Sequence, residues 1–575
     1  MLDSPLHEHH LLRYKVEVED RPMRGFSKTA IVSFFDESDK KVVVFKYGVI
    51  TKEEIFDKIN KGEDLNLNGA YVYNFSLTDY RVDKGFDDSV HITLKNFSAK
   101  KAFFDCDITN DLSYAKFEGD KVIFDSGVHY IGGLDKGQNL YQIFKYLGLM
   151  EKLKLEKMDN NAFDKIIIDN DAKEYPFAQG YENFINHLSE DFPDEKNAII
   201  KYCEAIQSVC KKFPLYNLRS GGEYSEKKDV LEIDTKKFIE SLTQNKKLQA
   251  VLAGNNILYA GQPAKTPFYI HALILNSYIE SSWKCIDGGS QIAKYLAQNI
   301  RNHGGAVLCN KEVKKIAEEN GKVIYVETDN GLKFTATNYI SNMHPEKAME
   351  ILETNLIKPA YRNRIKNLEN SISCFSVNVV LKKNTFKYFS HNYYWHKEGK
   401  VWDMQNYDES NWPLGYALFL SPSSKTKEYA DALSILTYMK YEETKQWEDT
   451  FNSVSKEEDR GESYNDFKKQ KAEILLNTVE EKFPGLKDCI QSYYVATPLS
   501  YRDYLGSNDG SLYGIVKDYQ DPVKTLIAPQ TKLPNFYFTG QNLNLHGILG
   551  ASITALATCC VLLGNENIID KIKNA

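Results

Sequence analysis

Apolar residues in this chain keep several rhythms, and each assigns its segment a different local structure. Between Ala30 and Ile50 the runs AIVSFFD and KKVVVFKYGVI, rich in β-branched and aromatic residues, flank the polar turn ESDK. Such a pattern predicts a β-hairpin. KEEIFDKINKG follows with the spacing of a short helix that ends at Gly62. Beyond Gly62 apolar residues recur in pairs every five positions: Leu65/Leu67, Ala70/Val72 and Phe75/Leu77. After a charged interruption the period returns as Ile92/Leu94, Phe97/Ala99 and Ala102/Phe104, and after a slip of phase as Ala115/Phe117. Period five belongs neither to a helix nor to an ordinary strand. It suits a square solenoid in which each pentapeptide forms one side of a coil and points its apolar pair inward. An irregular β-rich domain whose apolar residues fall at fives is the alternative.

From VIFDSGVHYIGG onward strands alternate with helices. Residues 138–280 read as mostly helical with scattered aromatics, as in YQIFKYLGLMEKL and AKEYPFAQGYENFINHL. Glycine punctuation and alternation then predict a helix at 290–302 and strands at 306–309, 312–317, 322–328 and 333–341. Strands such as CFSVNVVLKK and GYALFLS mix with helices between Ser371 and Ser500, and the charged stretch Glu442–Lys482 reads as a solvated helical face. The last block, NFYFTGQNLNLHGILGASITALATCCVLLG, is a strand, a glycine-containing loop and a long apolar helix. Its uncharged run from Gly547 to Gly564 just reaches membrane-spanning length, but its Gly, Ser and Thr content reads as an enclosed helix.

Composition narrows the class. At 575 residues, 42 % hydrophobic and 26 % charged, with 37 Tyr and 30 Phe, the chain is globular and long enough for several cores. A net charge of −7 over this length gives no long-range attraction to nucleic acid or to an anionic membrane. The nine cysteines form no CxxC pair and no zinc spacing, which fits reduced thiols in the cytoplasm. The first residues carry no basic stretch followed by an apolar core, so they do not read as a secretory signal. His7, His9 and His10 lack partners at metal-binding spacing, and no metal is expected. Ser126 and Ser290 lack a GxSxG elbow, which disfavours a hydrolase.

The final block carries the most chemistry. A strand at Phe536–Thr539 leading through Gly540 into a helix near Gly547 places free backbone N–H groups and the positive helix end together, a site for an anion or the electron-rich edge of a reduced ring. Gly547 and Gly550 lack Cβ atoms, so another backbone or a flat cofactor can approach there. Tight helix–sheet packing explains the same glycines equally well.

Two resemblances follow from these motifs. Residues 62–118 resemble the pentapeptide-repeat family. The four blocks IFDSGVHYIGG at 123–133, DGGSQIAKYLAQNIRNHGGAVLCNKEVKKI at 287–316, ATPLSYRDYLGSNDGSLYG at 496–514 and FTGQNLNLHGILGA at 538–551 resemble the flavin-dependent phytoene desaturase, carotenoid isomerase and retinol saturase group of the amine-oxidase-like superfamily. That resemblance implies an α/β, two-lobed FAD-binding fold. The implied FAD-domain segments are 121–137, 281–345 and 496–575, the substrate lobe is 138–280 and 346–495, and residues 1–120 form a small β-rich module. It also implies FAD as cofactor, with Asp125, Gly127 and His129 near the isoalloxazine. Val313 matches the position whose backbone meets the adenine, and Gly540, Gln541, Gly547, Gly550 and Ala551 the loop and helix start beside flavin and phosphates. Gln541 departs from the acid that many superfamily members carry. Tyr501, Arg502 and Tyr504 fall in a block near the flavin and substrate channel; they either shape that channel or pack and cap carbonyls. The resemblance identifies no catalytic acid or base.

One element is missing from the pattern. Such proteins open with a strand, a GxGxxG turn and a helix that hold the pyrophosphate. Here the glycines before Gly127 stand at 25, 48, 62, 69, 85 and 119, and no GxGxxG occurs later. Either a strand such as AIVSFF at 30–35 docks beside Phe536–Thr539 without forming the phosphate turn, or residues 1–118 are a separate module joined to a truncated oxidoreductase. The resemblance implies an FAD-dependent oxidoreductase acting on C–C bonds of a polyene or other apolar substrate, impaired by the missing turn, with peripheral membrane contact and no span. Its alternative is a non-catalytic fusion of an interaction module with an oxidoreductase remnant. Oligomeric state is not readable.

Overall fold

The computed structural model describes residues 13–23, 25–35, 39–86, 90, 92–99, 102–106, 115–118, 124, 127–169, 171–221, 224–453, 458–564 and 567–575. The chain divides into two compact units, Met1–Val122 and Ile123–Ala575.

The hairpin expected in the first unit forms from Lys28–Phe35 and Lys41–Ile50, antiparallel, with Arg13–Glu19 on the outer edge of Lys28–Phe35. Ala70–Tyr73 and Phe103–Asp105 extend this sheet in parallel register, Gly48 facing Ala70 and Tyr71 facing Phe103. The helix Lys52–Lys61 begins with a capping box between Thr51 and Glu54 and stops at Gly62, whose φ of 63° no branched residue adopts cheaply. Leu65, Leu67, Ala70, Val72, Phe75, Leu77, Ile92 and Leu94 are all buried in one core. Successive passes of chain stack in parallel there, as Ile92–Lys95 does on Ala115–Glu118. The charged interruption contains a helix, Leu77–Asp83, with Ser76 as its N-cap. Both edges of Lys28–Phe35 are paired inside this sheet.

The second unit is organised by a seven-stranded mixed sheet in the order Glu174–Phe177, Asp164–Ile168, Asn392–His396, Gly415–Leu420, Ala432–Met439, Ser373–Leu381, Ile490–Ala496. Only Asp164–Ile168 and Asn392–His396 pair in parallel. Strand alternation sends successive side chains to opposite faces. Tyr394, Ala417, Phe419, Leu436 and Tyr438 face a core shared with the helices around Phe268–Glu280. Tyr393, Trp395, Tyr416, Leu418 and Ile435 face the helix Glu462–Lys482 through Ala472, Leu475, Leu476 and Val479. That helix is thus half-enclosed, and not only the solvated face its charge suggested. Residues 138–280 are largely helical but also contain Leu155–Lys157, Asp164–Ile168 and Glu174–Phe177 as strands.

A smaller body carries Val313–Glu319, Lys322–Thr328 and Lys333–Phe334 as a meander, and Tyr339–Ser341 beside Phe536–Phe538 in parallel. The expected strand at 333–341 is therefore two strands with a break between. The far side of Phe536–Phe538 is met by the segment at 529–531, since the Phe538 N–H donates to the Pro529 carbonyl at 2.7 Å and Gln530 bridges Tyr537. The strand expected at 306–309 does not form: residues 303–310 are irregular and exposed, Leu308 by 59 %. An apolar AVLC run becomes a strand only where a neighbour takes its N–H and C=O groups, and no strand pairs with it among the described residues. The terminal helix Gly547–Leu563 is also less enclosed than its apolarity suggested, with Leu563 57 % exposed. Among the described residues no helix is long and apolar enough to cross a membrane.

Candidate functional site

Three elements of the second unit meet around a cavity of about 110 Å³. The inner face of the large sheet contributes Ala417, Phe419 and Leu436, and the helix Phe268–Glu280 contributes Leu273, Ile274, Ser277 and Tyr278. The third wall is the start of the helix Gly547–Leu563, and the segment from Gly127 to Gly132 closes the remaining side. Sequence pattern explains why these side chains converge. Phe268–Glu280 is apolar around nearly its whole circumference and is buried on all sides. Strand alternation turns Ala417 and Phe419 inward while Tyr416 and Leu418 pack on the opposite face.

The walls are aromatic. His129 lies flat on Phe419 at 4.2 Å with 7° between planes, and Tyr130 stacks on Tyr278 at 4.2 Å. Burial, helped by the charge of Lys284, pushes the His129 imidazole down to about 4, so it is neutral near pH 7. His546 caps the terminal helix by position but makes no side-chain cap bond, and the first turn holds no acid. The amides that open this helix thus receive no side-chain cap from His546. The His546 Nε2–H donates to the Leu258 carbonyl at 2.8 Å, which leaves Nδ1 as an acceptor, and burial lowers this imidazole to about 4. The glycines separate into two kinds. At Gly127 and Gly547 a Cβ would meet nothing within 4 Å, so a flat ligand can approach. At Gly550 it would strike the Leu545 backbone at 2.5 Å and at Gly132 the Ser277 backbone at 2.6 Å, so those two serve chain packing.

A second pocket of about 30 Å³ shares Tyr513 and His546 with the cavity and contains Gln541, Asn544 and Lys517. Lys517 is buried, and its ammonium donates to the carbonyls of Thr525, Asn542 and Leu543 at 3.0, 2.9 and 3.1 Å. Burial and then the charge of Arg364 push its amine down to about 7, while three carbonyl acceptors match the three N–H groups of its charged form. Lys517 thereby fixes the loop that presents the helix start.

Behind the aromatic wall lies a buried acid. Asp164 is fully enclosed; its carboxylate accepts from the Tyr130 hydroxyl at 2.9 Å and from Asn392 Nδ2 at 2.9 Å. The Tyr130 and Tyr394 hydroxyls lie 2.7 Å apart, which makes a chain from the cavity wall to the carboxyl. Burial raises Asp164 from 3.8 to about 7 against the opposing effects of Asn392, Tyr130 and Lys284. The folded state therefore holds a proton that the unfolded chain releases between those two values. Stability conferred with that proton is fully present at acid pH and is lost as pH rises toward 7. Asp164→Asn is expected to flatten this decline in denaturant titrations run from pH 4 to pH 8.

The residues singled out in the sequence fall in several places. Gly127, His129, Gly547 and Gly550 line the cavity, and Gln541 lines the adjoining pocket. Gly540, with φ 95°, sits against the Asn342 side chain, which a Cβ would strike. Ala551 is half-buried in the first turn of the terminal helix. Val313 opens its strand opposite Thr328 and packs on the smaller core. Asp125 lies outside the described residues. Tyr501 bonds Ser376 at 3.3 Å, Tyr504 is 63 % exposed, and Arg502 caps the carbonyls of Glu448 and Thr450 while pairing with Asp503. Sequence reading missed Tyr130, Tyr278, Phe419, Tyr513 and Asp164. Tyr130 and Tyr513 sit inside the IFDSGVHYIGG and ATPLSYRDYLGSNDGSLYG blocks and had a local signal; Tyr278, Phe419 and Asp164 reach the site from a distant helix and distant strands.

Residues 113–563 match the family model of flavin containing amine oxidoreductases. Among curated proteins, all-trans-retinol 13,14-reductase of Danio rerio is 26 % identical over 487 residues, spanning 77 % of this chain and 79 % of that protein. Prolycopene isomerase 2, chloroplastic, of an Oncidium hybrid cultivar is 26 % identical over 363 residues, spanning 58 % and 57 %. Among solved structures, an oxidoreductase from Methanosarcina mazei is 13 % identical, spans 85 % of this chain and 99 % of its own, and superposes with a TM-score of 0.49. The family match embraces both the segment from Gly127 to Gly132 and the helix start at Gly547, so the residues around the cavity lie within it: this chain belongs to the family of flavin-containing amine oxidoreductases.

Proposed function

We propose that this protein is an FAD-dependent oxidoreductase acting on carbon–carbon double bonds of a polyene or another apolar substrate. One observation carries the reading: an aromatic-walled cavity lies against an uncapped helix start, with open space at Gly127 and Gly547. These residues fit the ring end of a flavin. The amides that open the terminal helix would hold its electron-rich edge, and Tyr130, Tyr278 and Phe419 would supply apolar faces. Bound there, the cofactor supplies two-electron hydride chemistry. The protein's own part is to orient the alkene, exclude water and deliver or accept a proton. The polyene-directed names of the zebrafish and Oncidium relatives support this substrate class. An apolar substrate of this kind also makes a cytoplasmic protein with transient peripheral contact to a membrane the natural setting.

The test is anaerobic turnover of the FAD-loaded full chain, chemically reduced, with all-trans-retinol and a small panel of carotenoids. Loss or rearrangement of a double bond, read by chromatography, is expected for at least one of them. Flavin uptake without conversion of any polyene would overturn the substrate assignment. The second reading, a non-catalytic fusion, is favoured by a specific feature of the sequence, the lack of a GxGxxG turn for the pyrophosphate. That reading requires that the chain retain no flavin.

A further inference from the structure

Hydride chemistry at an alkene also needs a proton, and the imidazoles and the lysine around the cavity do not supply one. His129 and His546 are neutral and enclosed, and Lys517 is committed to three carbonyls. The chain of groups behind the wall is different in kind. Tyr130 belongs to the cavity lining, its hydroxyl is shared between Asp164 and Tyr394, and Asp164 has its second oxygen fixed by Asn392. Asn255 faces the Asp164 carboxyl within hydrogen-bonding reach, and the Asn392 Oδ1 is buried there without a partner among the described residues. A carboxyl and two phenols enclosed together are costly unless they share a proton.

We infer that Asp164 and Tyr130 form the proton store of this site, Tyr130 exchanging a proton with the substrate carbon and Asp164 restoring it. The inference rests on the oxidoreductase reading above. In the reducing direction, a reduced flavin bound there would supply a hydride, whose electron pair would form the new C–H bond at one alkene carbon. The π pair of the alkene takes the proton of the Tyr130 hydroxyl at the other carbon. As that proton leaves, the Tyr130 oxygen takes the Asp164 proton, so no free phenolate forms where burial and the neighbouring acid hold the phenol well above its ordinary value, and the carboxylate recovers a proton from solvent through Tyr394. Oxidation runs the same steps backwards. Tyr130 is the catalytic group in this scheme and Asp164 a positioning residue that acts through it. The groups facing Asp164 are Tyr130, Tyr394, Tyr278, Asn255, Asn392 and the ammonium of Lys284. Burial holds the carboxyl near neutrality, where it can both give and take a proton at working pH.

Three variants of the full chain test this: Asp164→Asn, Asp164→Glu and Tyr130→Phe. The carboxyl band in infrared spectra titrated from pH 4 to pH 9 should show one group that protonates near 7 in the wild type and is missing in Asp164→Asn, whether or not flavin is present. In turnover, Tyr130→Phe and Asp164→Asn should lower kcat by roughly 100-fold or more with KM little changed, and Asp164→Glu should restore part of the rate with a displaced pH profile. Turnover that keeps the wild-type rate and pH profile in Asp164→Asn and Tyr130→Phe overturns the proton store and leaves the oxidoreductase reading intact. So does the lack of a carboxyl titrating near 7. A wild type that transfers no hydride to any polyene overturns both.

Discussion

Gly547→Val is expected to lower flavin uptake by roughly a hundredfold, about 2.7 kcal/mol of binding free energy. Two effects act together. The backbone of Gly547 has φ 75°, where a side chain costs about 1–2 kcal/mol, and the open space at its Cβ position is where the proposed flavin ring would approach the helix start. Strain alone would also weaken the helix, so a second variant separates the causes. Gly564 closes the same helix at φ 62°, has nothing within 4 Å of the place a Cβ would take, and lies outside the cavity lining. Gly564→Val should cost comparable stability and leave flavin titrations unchanged. Equal loss of flavin in the two variants would place the ligand elsewhere.

The second large effect is structural. Asp503 is fully buried between two guanidinium groups: Arg460 contacts one carboxylate oxygen and Arg502 donates to the other at 2.7 and 2.8 Å. The Asn452 N–H adds a bond of 2.8 Å. Arg502 and Arg460 also hold the carbonyl of Thr450, so the cluster ties the segment at 448–452 to the helix Pro498–Leu505. Asp503→Ala leaves two enclosed cations without a counter-charge, and such a loss costs about 3–5 kcal/mol. Replacing Arg460 by Met in the same chain should recover part of it, because one of the stranded charges is then gone. Equilibrium denaturation of the single and double variants measures both numbers. This geometry assigns Arg502 to a carbonyl cap, the plainer of its two sequence readings, and Arg502→Lys should disturb stability more than substrate affinity.

Legibility in the sequence followed the range of the interactions. The helix Lys52–Lys61 is written in its capping box and its terminal glycine, both within four residues of the ends. The sheet of the second unit is written in alternation, since Tyr416 and Leu418 go one way while Ala417 and Phe419 go the other. The glycines of the final block announce a helix start, but not that Gly550 is filled by Leu545 while Gly547 is open. That distinction depends on where a loop returns. AVLC at 306–309 shows the converse: local propensity for a strand came to nothing without a neighbour to pair with it. Asp164 was invisible for a related reason. One acid in DKIII is unremarkable until Tyr130 and Asn392, 34 and 228 positions away, close around it.

The most direct measurement of the central claim is the absorbance spectrum and flavin content of the purified full chain, before and after incubation with excess FAD and removal of the unbound cofactor. The account predicts stoichiometric flavin with a band shape altered by the aromatic walls, and its loss in Gly547→Val. A colourless protein that retains no flavin under these conditions would contradict the cavity as a flavin site and leave the non-catalytic fusion as the reading that survives.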